Sequence, residues 1–151
     1  MEWLAGLFDG EGCVSFVGTK TNYSPMVSIS STDRKMLEEI HETLGIGHIR
    51  TQVSCDALVF SSLSDTAKLA KLILPFLYTK RAEVEHMLAF CESRMSKPKY
   101  MSHLSLEETE HVIMIGKAKS GKGKRSDNHY LIRAYEWKEY LTGAKEINSV
   151  P

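Results

Sequence analysis

Two carboxylates stand among glycines near the start of the chain. They are Asp9 and Glu11, within Leu4-Ala5-Gly6-Leu7-Phe8-Asp9-Gly10-Glu11-Gly12. The stretch reads as a short helix with both acids at its end. A helix C-terminus already carries partial negative charge, so carboxylates there are unfavourable unless a cation relieves the conflict. Gly6 and Gly10 are four residues apart and stack on one helical face beside Trp3. Leu4, Leu7 and Phe8 fall on another arc and are expected in a core. Two glycines in a short helix cost about 1 kcal/mol each relative to alanine. They make sense if another backbone approaches closely at that face.

Other patterns that suggest chemistry fail on inspection. Gly116-Lys-Ala-Lys-Ser-Gly121-Lys122 imitates a phosphate-binding loop, but Gly123 stands where Ser or Thr is required and the preceding segment reads as helix. His41-Glu42 lacks a second histidine at position 45. The six histidines show no zinc-ligand spacing with the cysteines.

The nine residues from Leu4 to Gly12 resemble the signature of the LAGLIDADG homing endonucleases. Leu4, Ala5, Gly6, Leu7, Asp9 and Gly12 match directly, Phe8 and Glu11 conservatively, and Gly10 is a common variant. The resemblance implies an α+β fold of order αββαββα, with an antiparallel saddle-shaped sheet, over roughly residues 1–94, followed by extra C-terminal helices. It implies a site-specific double-strand DNA endonuclease that hydrolyses phosphodiesters with Mg2+, Mn2+ or Ca2+ substituting for binding, and leaves short 3′ overhangs. Glu11 stands at the metal-ligand position, where most members have aspartate, and the Gly10 carbonyl belongs to the same shell. Asp9 reads as structural, satisfying backbone donors near the motif. Lys80, after Pro75-Phe76-Leu77, resembles the family's active-site lysine, which orients or polarises the attacking water. Arg81 is a weaker neighbour. Ser31 falls where some members place a polar residue that positions water.

There is one copy of the motif, and two-motif members are about twice as long. A one-motif member must pair with itself, so the resemblance implies a homodimer meeting at Trp3, Ala5, Gly6, Asp9 and Gly10, around a two-fold axis. Its partner is double-stranded DNA with a long pseudo-palindromic target. An RNA maturase, or a DNA-binding regulator without cleavage, is the alternative within the same family.

A two-stranded ribbon fits the major groove, so the polar strand faces are the expected readers of DNA. Candidates are Ser15, Val17, Thr19, Asn22, Ser24, Met26, Ser28, His48, Arg50 and Gln52. Arg50 to guanine and Gln52 to adenine are the chemically sharpest pairings. A solvated sheet face gives the same alternation, and only the motif favours groove binding. Lys117, Lys119, Lys122, Lys124 and Arg125 either clamp phosphates or form a solvated basic loop.

The elements that must position these residues follow from periodicity. Segments 13–17 and 26–30 alternate as strands, joined by a hairpin over 18–25. Asp33 caps a helix over 34–44 that Gly45 stops. Strands are expected at 46–53 and 56–61. A helix capped by Ser64 or Asp65 runs to about 74, where Pro75 breaks it, and a longer one covers 79–94. Strands in adjacent pairs argue for antiparallel hairpins and against βαβ crossovers. Residues 95–104 read as a linker. Ser105 and Glu108 form a capping-box pattern opening a helix to about 119, and a last helix covers 129–141. The expected organisation is a core domain at 1–94, the linker, and a helical extension at 105–151 with its basic loop.

Composition sets the outer bounds. The chain has 151 residues and 42% hydrophobic content, ordinary for one globular domain. Lys71 and Lys80 bracket the longest apolar run, so no bilayer span is expected. No secretory leader is evident, and three cysteines without a C-x-x-C pattern read as idle thiols, so an intracellular protein is expected. Lys and Arg total 19, as do Asp and Glu. The charge is uneven, with three basic and seven acidic residues over 1–45 against eight and five over 46–100.

Overall fold

A computed structural model describes residues 1–18, 21–99, 101, 103–120 and 129–143, apart from the side chains at 120, 129 and 130. The order is helix α1 (Glu2–Glu11), strands β1 (Gly12–Gly18) and β2 (Tyr23–Ser31), helix α2 (Arg34–Leu44), strands β3 (His48–Thr51) and β4 (Asp56–Phe60), helix α3 (Leu63–Ile73), a 3-10 turn (Leu74–Phe76), and helices α4 (Arg81–Met95), α5 (Leu106–Ser120) and α6 (His129–Leu141). The four strands form one antiparallel sheet in the order β1-β2-β4-β3. The expected α+β fold, αββαββα with added C-terminal helices, is therefore present.

The first hairpin is longer than expected. Phe16 pairs with Pro25, so Pro25 lies inside β2 and not in the turn. The ladder to β4 begins only at Val27, which leaves one side of β2 open at Pro25, where a missing N–H is tolerated. The second hairpin is shorter. β3 ends at Thr51, and Val53 is fully exposed.

Helix boundaries follow capping chemistry. Asp33 accepts the Met36 N–H at 3.0 Å, and Gly45 closes α2 at φ 65°, a conformation glycine takes without steric penalty. The cap of α3 is Ser62, which accepts the Asp65 N–H at 3.0 Å, and not Ser64 or Asp65. Asp65 instead accepts the Gly47 N–H at 3.1 Å, tying α3 to the start of β3. At α5, Ser105 and Glu108 close the capping box reciprocally, at 2.9 and 3.2 Å.

One face of the sheet packs on the helices. Val14, Phe16, Tyr23, Val27, Ile29, Leu58 and Phe60 join Leu4, Phe8, Leu37, Leu69, Ile73, Met87 and Phe90 in a single core. That core continues without a break into Val112, Ile113 and Ile115 of α5 and Ala134 and Trp137 of α6. Glu108 anchors this junction. It is fully buried and accepts from Ser93, Arg94 and Lys97. Burial pushes its carboxyl up, but the bonds from Lys97, Ser105 and Ser93 outweigh that and hold it below 4.5.

Cys13, Cys55 and Cys91 are free thiols, and burial first, then Glu92, pushes Cys91 up to about 12. Among the described residues no helix is long and apolar enough to cross a membrane.

Candidate functional site

Helix α1 has two faces, and they differ in part from expectation. Leu4, Ala5 and Phe8 are buried inside the chain. Ala5, expected at a contact with a second chain, has no exposed surface. It lies one residue after Leu4 on the inward arc, so it packs its own core. Leu7, expected in the core, is partly buried and packs against its edge. The outward stripe is Trp3, 57% exposed, with Gly6 and Gly10. A Cβ at either glycine would meet nothing within 4 Å, so nothing inside the chain requires glycine there. Gly12 differs, because a Cβ there would lie 2.5 Å from the Phe8 carbonyl oxygen.

Asp9 faces inward at the end of α1 and accepts three backbone N–H groups. Tyr78 donates to Oδ2 at 2.8 Å, and Thr79 and Lys80 donate to Oδ1 at 3.1 and 2.9 Å. Partial burial pushes this carboxyl up, but the three donors and the Lys80 charge outweigh it and hold it below 3.8. These bonds turn Asp9 toward its own chain, so its carboxylate does not form part of the outward stripe.

Lys80 is only 6% exposed, not a solvated lysine at a helix start. Its ammonium donates to the carbonyls of Asp9, at 2.8 Å, and Phe8, at 3.1 Å. These are carbonyls of the last turn of α1, where a cation is favoured. Arg81 turns away and donates to Leu77 and Pro75 carbonyls.

Glu11 ends α1 with an exposed side chain that has no hydrogen-bond or ion-pair partner among the described residues. It lines an open cleft with Leu7, Ser30, Ser31, Thr32, Met36 and Cys55. The cleft thus brings Glu11 and Ser31 together, while the Ser31 hydroxyl accepts the Asp33 N–H at 3.0 Å. Thr32 and Cys55 were not legible as site residues. Cys55 arrives because Ser31 pairs with Asp56 across the sheet. No cluster of three histidine, cysteine or carboxylate ligands occurs among the described residues. One chain therefore offers a hard cation the Glu11 carboxylate and nearby carbonyl oxygen. That donor set suits magnesium, which keeps water ligands and takes phosphate oxygens.

The second sheet face gathers the other candidates. Ser15 pairs with Met26, Val17 with Ser24, and Ser28 with both Cys13 and Val59. Val59 pairs in turn with His48, and Arg50 with Ala57. All of these side chains share one face. Cys13 and Ser30 belong to it by the same alternation. Ala57 and Val59 were illegible there because β4 is apolar and buried on both faces. His48 and Arg50 are exposed, and Asn22 lies just before β2. Gln52 sits in the turn after β3, where its side-chain oxygen accepts from the Cys55 thiol at 3.5 Å. Thr19, Lys122, Lys124 and Arg125 lie outside the described residues. Lys119 donates to the Val14 carbonyl at 2.8 Å, a strand-edge contact, while Lys117 lies over the Tyr135 ring at 5.9 Å.

The model of a family described as LAGLIDADG endonuclease matches residues 4–91. Over 93% of each chain, the structure is similar to the homing endonuclease I-CvuI in complex with its target in the presence of calcium, at 17% identity and a TM-score of 0.69. It is similar to the archaeal intron-encoded homing endonuclease I-Vdi141I complexed with DNA, at 20% identity and a TM-score of 0.61, over 89% of this chain and 94% of that one. A third similarity is to the LAGLIDADG meganuclease I-AabMI bound to uncleaved DNA, at 20% identity and a TM-score of 0.64. It covers 88% of this chain but 48% of that one. At such identities the likeness speaks for the fold. No curated protein matches the chain.

Proposed function

The chain belongs to the LAGLIDADG endonuclease family, and from that premise we propose that it is a site-specific, metal-dependent DNA endonuclease acting as a homodimer. The observation that carries this reading is Glu11. It is an exposed carboxylate at a helix C-terminus with no partner among the described residues, an arrangement that favours a bound cation.

A second copy supplies what one chain lacks. The Gly6/Gly10 stripe has room for a close backbone, and the same stripe on both chains is what a two-fold contact requires. Such a contact would bring two copies of Glu11 to the two scissile phosphates. A divalent cation bound there would neutralise phosphoryl charge and lower the pKa of a water. Glu11 and the Gly10 carbonyl would hold it. Lys80 would fix the helix end that presents them, adding positive charge beneath it. Ser31, in the cleft with Glu11, would orient water with its hydroxyl. The sheet face from Ser15 to Arg50 would lie in the major groove, and cutting across the minor groove would leave short 3′ overhangs.

Incubation with Mg2+ and a library of duplex targets, followed by sequencing of the ends, tests this. Double-strand cuts at one pseudo-palindromic site are expected, lost in Glu11→Gln with target affinity retained. A folded protein that cuts no duplex would sink the proposal, and a preference for folded intron RNA would move the reading to a maturase.

A further inference from the structure

The linker before α5, backed by α6, holds the connection between β1 and β2 at Thr21. Thr21, in the connection between β1 and β2, accepts the Leu104 N–H on its carbonyl at 3.0 Å. Its hydroxyl lies 2.9 Å from His103 Nδ1. Leu104 is buried, and its own carbonyl accepts the Trp137 indole N–H of α6 at 3.0 Å. The His103 ring packs on Trp137, with centroids 5.7 Å apart. Behind them, Arg94 of α4 donates to the Met101 and His103 carbonyls at 3.1 and 3.3 Å, and to Glu108 of α5. A continuous path of hydrogen bonds thus runs from the hairpin connection into three helices.

This bears on selectivity, because a hairpin end is otherwise its most mobile part. Val17, Asn22 and Ser24 flank the tether, and a base-reading side chain discriminates only if its backbone is fixed against the groove. We infer that His103 and Trp137 are positioning residues for sequence reading, acting through Thr21 on the end of the β1–β2 hairpin. The linker and α6 are then specificity elements as well as an added layer of core. The inference rests on the DNA-reading role proposed for that hairpin. Neither residue touches the Glu11 cleft.

The test compares wild type with His103→Ala and Trp137→Phe, using Lys138→Ala as a control. Lys138 pairs with Glu110 across α5 and α6, outside the tether. Hydrogen exchange, without DNA, is expected to show the amides of residues 21–24 opening at least about tenfold faster in the first two variants and unchanged in the control. On DNA, the base pairs whose recognition depends on Asn22 and Ser24 are located first with Asn22→Ala and Ser24→Ala. Discrimination at those pairs is expected to relax by about tenfold, with cleavage of the intact target at saturation within about twofold. Unchanged exchange overturns the tether. Faster exchange with discrimination unchanged, or weakened equally at every position, overturns its role in reading. Wild-type protein that recognises no duplex overturns the site reading instead, an outcome the exchange measurement keeps separate.

Discussion

Asp9 and Lys80 hold one another twice, across 71 residues of sequence: the Asp9 carboxylate accepts the Lys80 backbone N–H at 2.9 Å, and the Lys80 ammonium donates to the Asp9 carbonyl at 2.8 Å. The end of α1 is thereby fastened to the segment before α4. Glu11, two residues on, is presented by a rigid helix end and not by a loose turn. A carboxylate with three amide donors is a strong acceptor, and a cation over helix-terminal carbonyls offsets the partial charge there.

Asp9→Ala is expected to destabilise the fold by about 2 kcal/mol, because it leaves three backbone donors without their charged acceptor. The pH dependence has a definite sign. The folded pKa lies below 3.8, so the contribution is fully present above the unfolded value and lost as pH falls through the folded one. Urea unfolding between pH 7 and pH 2 checks this. The gap between wild type and variant should close at the acid end.

Glu11→Gln is expected to leave stability unchanged or raise it by about 0.5 kcal/mol, because it removes an uncompensated negative charge from a helix C-terminus. The same substitution should abolish cleavage. Thermal melting of the metal-free protein, alongside a cleavage assay, reads both. A large loss of stability would mean that Glu11 has a structural partner.

Gly6→Ala and Gly10→Ala should each favour helix α1 by about 1 kcal/mol within one chain, since a Cβ at either position meets nothing. If the glycine stripe is the self-contact, the same changes weaken dimerisation. Sedimentation at several concentrations, with melting of the dissociated chain, separates the two effects. Improved helix stability with unchanged association would remove the stripe from the interface.

Glu108→Ala should destabilise by about 3 kcal/mol, because removing one partner strands the positive charges of Arg94 and Lys97 and breaks the cap of α5. Its folded pKa is also lowered, so its contribution is present above 4.5 and fades as pH falls further. Denaturant unfolding of the variant at pH 7 measures the loss.

Much of the architecture was legible in the chain itself. Asp33 and Gly45 delimit α2 because an N-cap side chain and a left-handed C-cap are local requirements, settled within a few residues. Ser105 and Glu108 announced α5 for the same reason. Alternation along 26–30 identified the two faces of β2, and the spacing of Gly6 and Gly10 identified an outward stripe. The presence of Asp9, Glu11 and Lys80 in a family pattern was legible too.

Tertiary structure decided what those residues touch. Whether Ala5 faced out or in depended on where the core sits around α1, which helical spacing leaves open by one residue. Pro25 entered a strand because β4 stops short of it, a fact about register and not about proline. Lys80 became a buried cap over α1, and Cys55 came into the Glu11 cleft, through pairings dozens of residues apart in sequence. The hold of His103 and Leu104 on Thr21 spans more than 80 residues. Local propensity acts over a few residues, whereas burial and register are properties of the assembled chain, so contacts of this range are set only when the whole core closes.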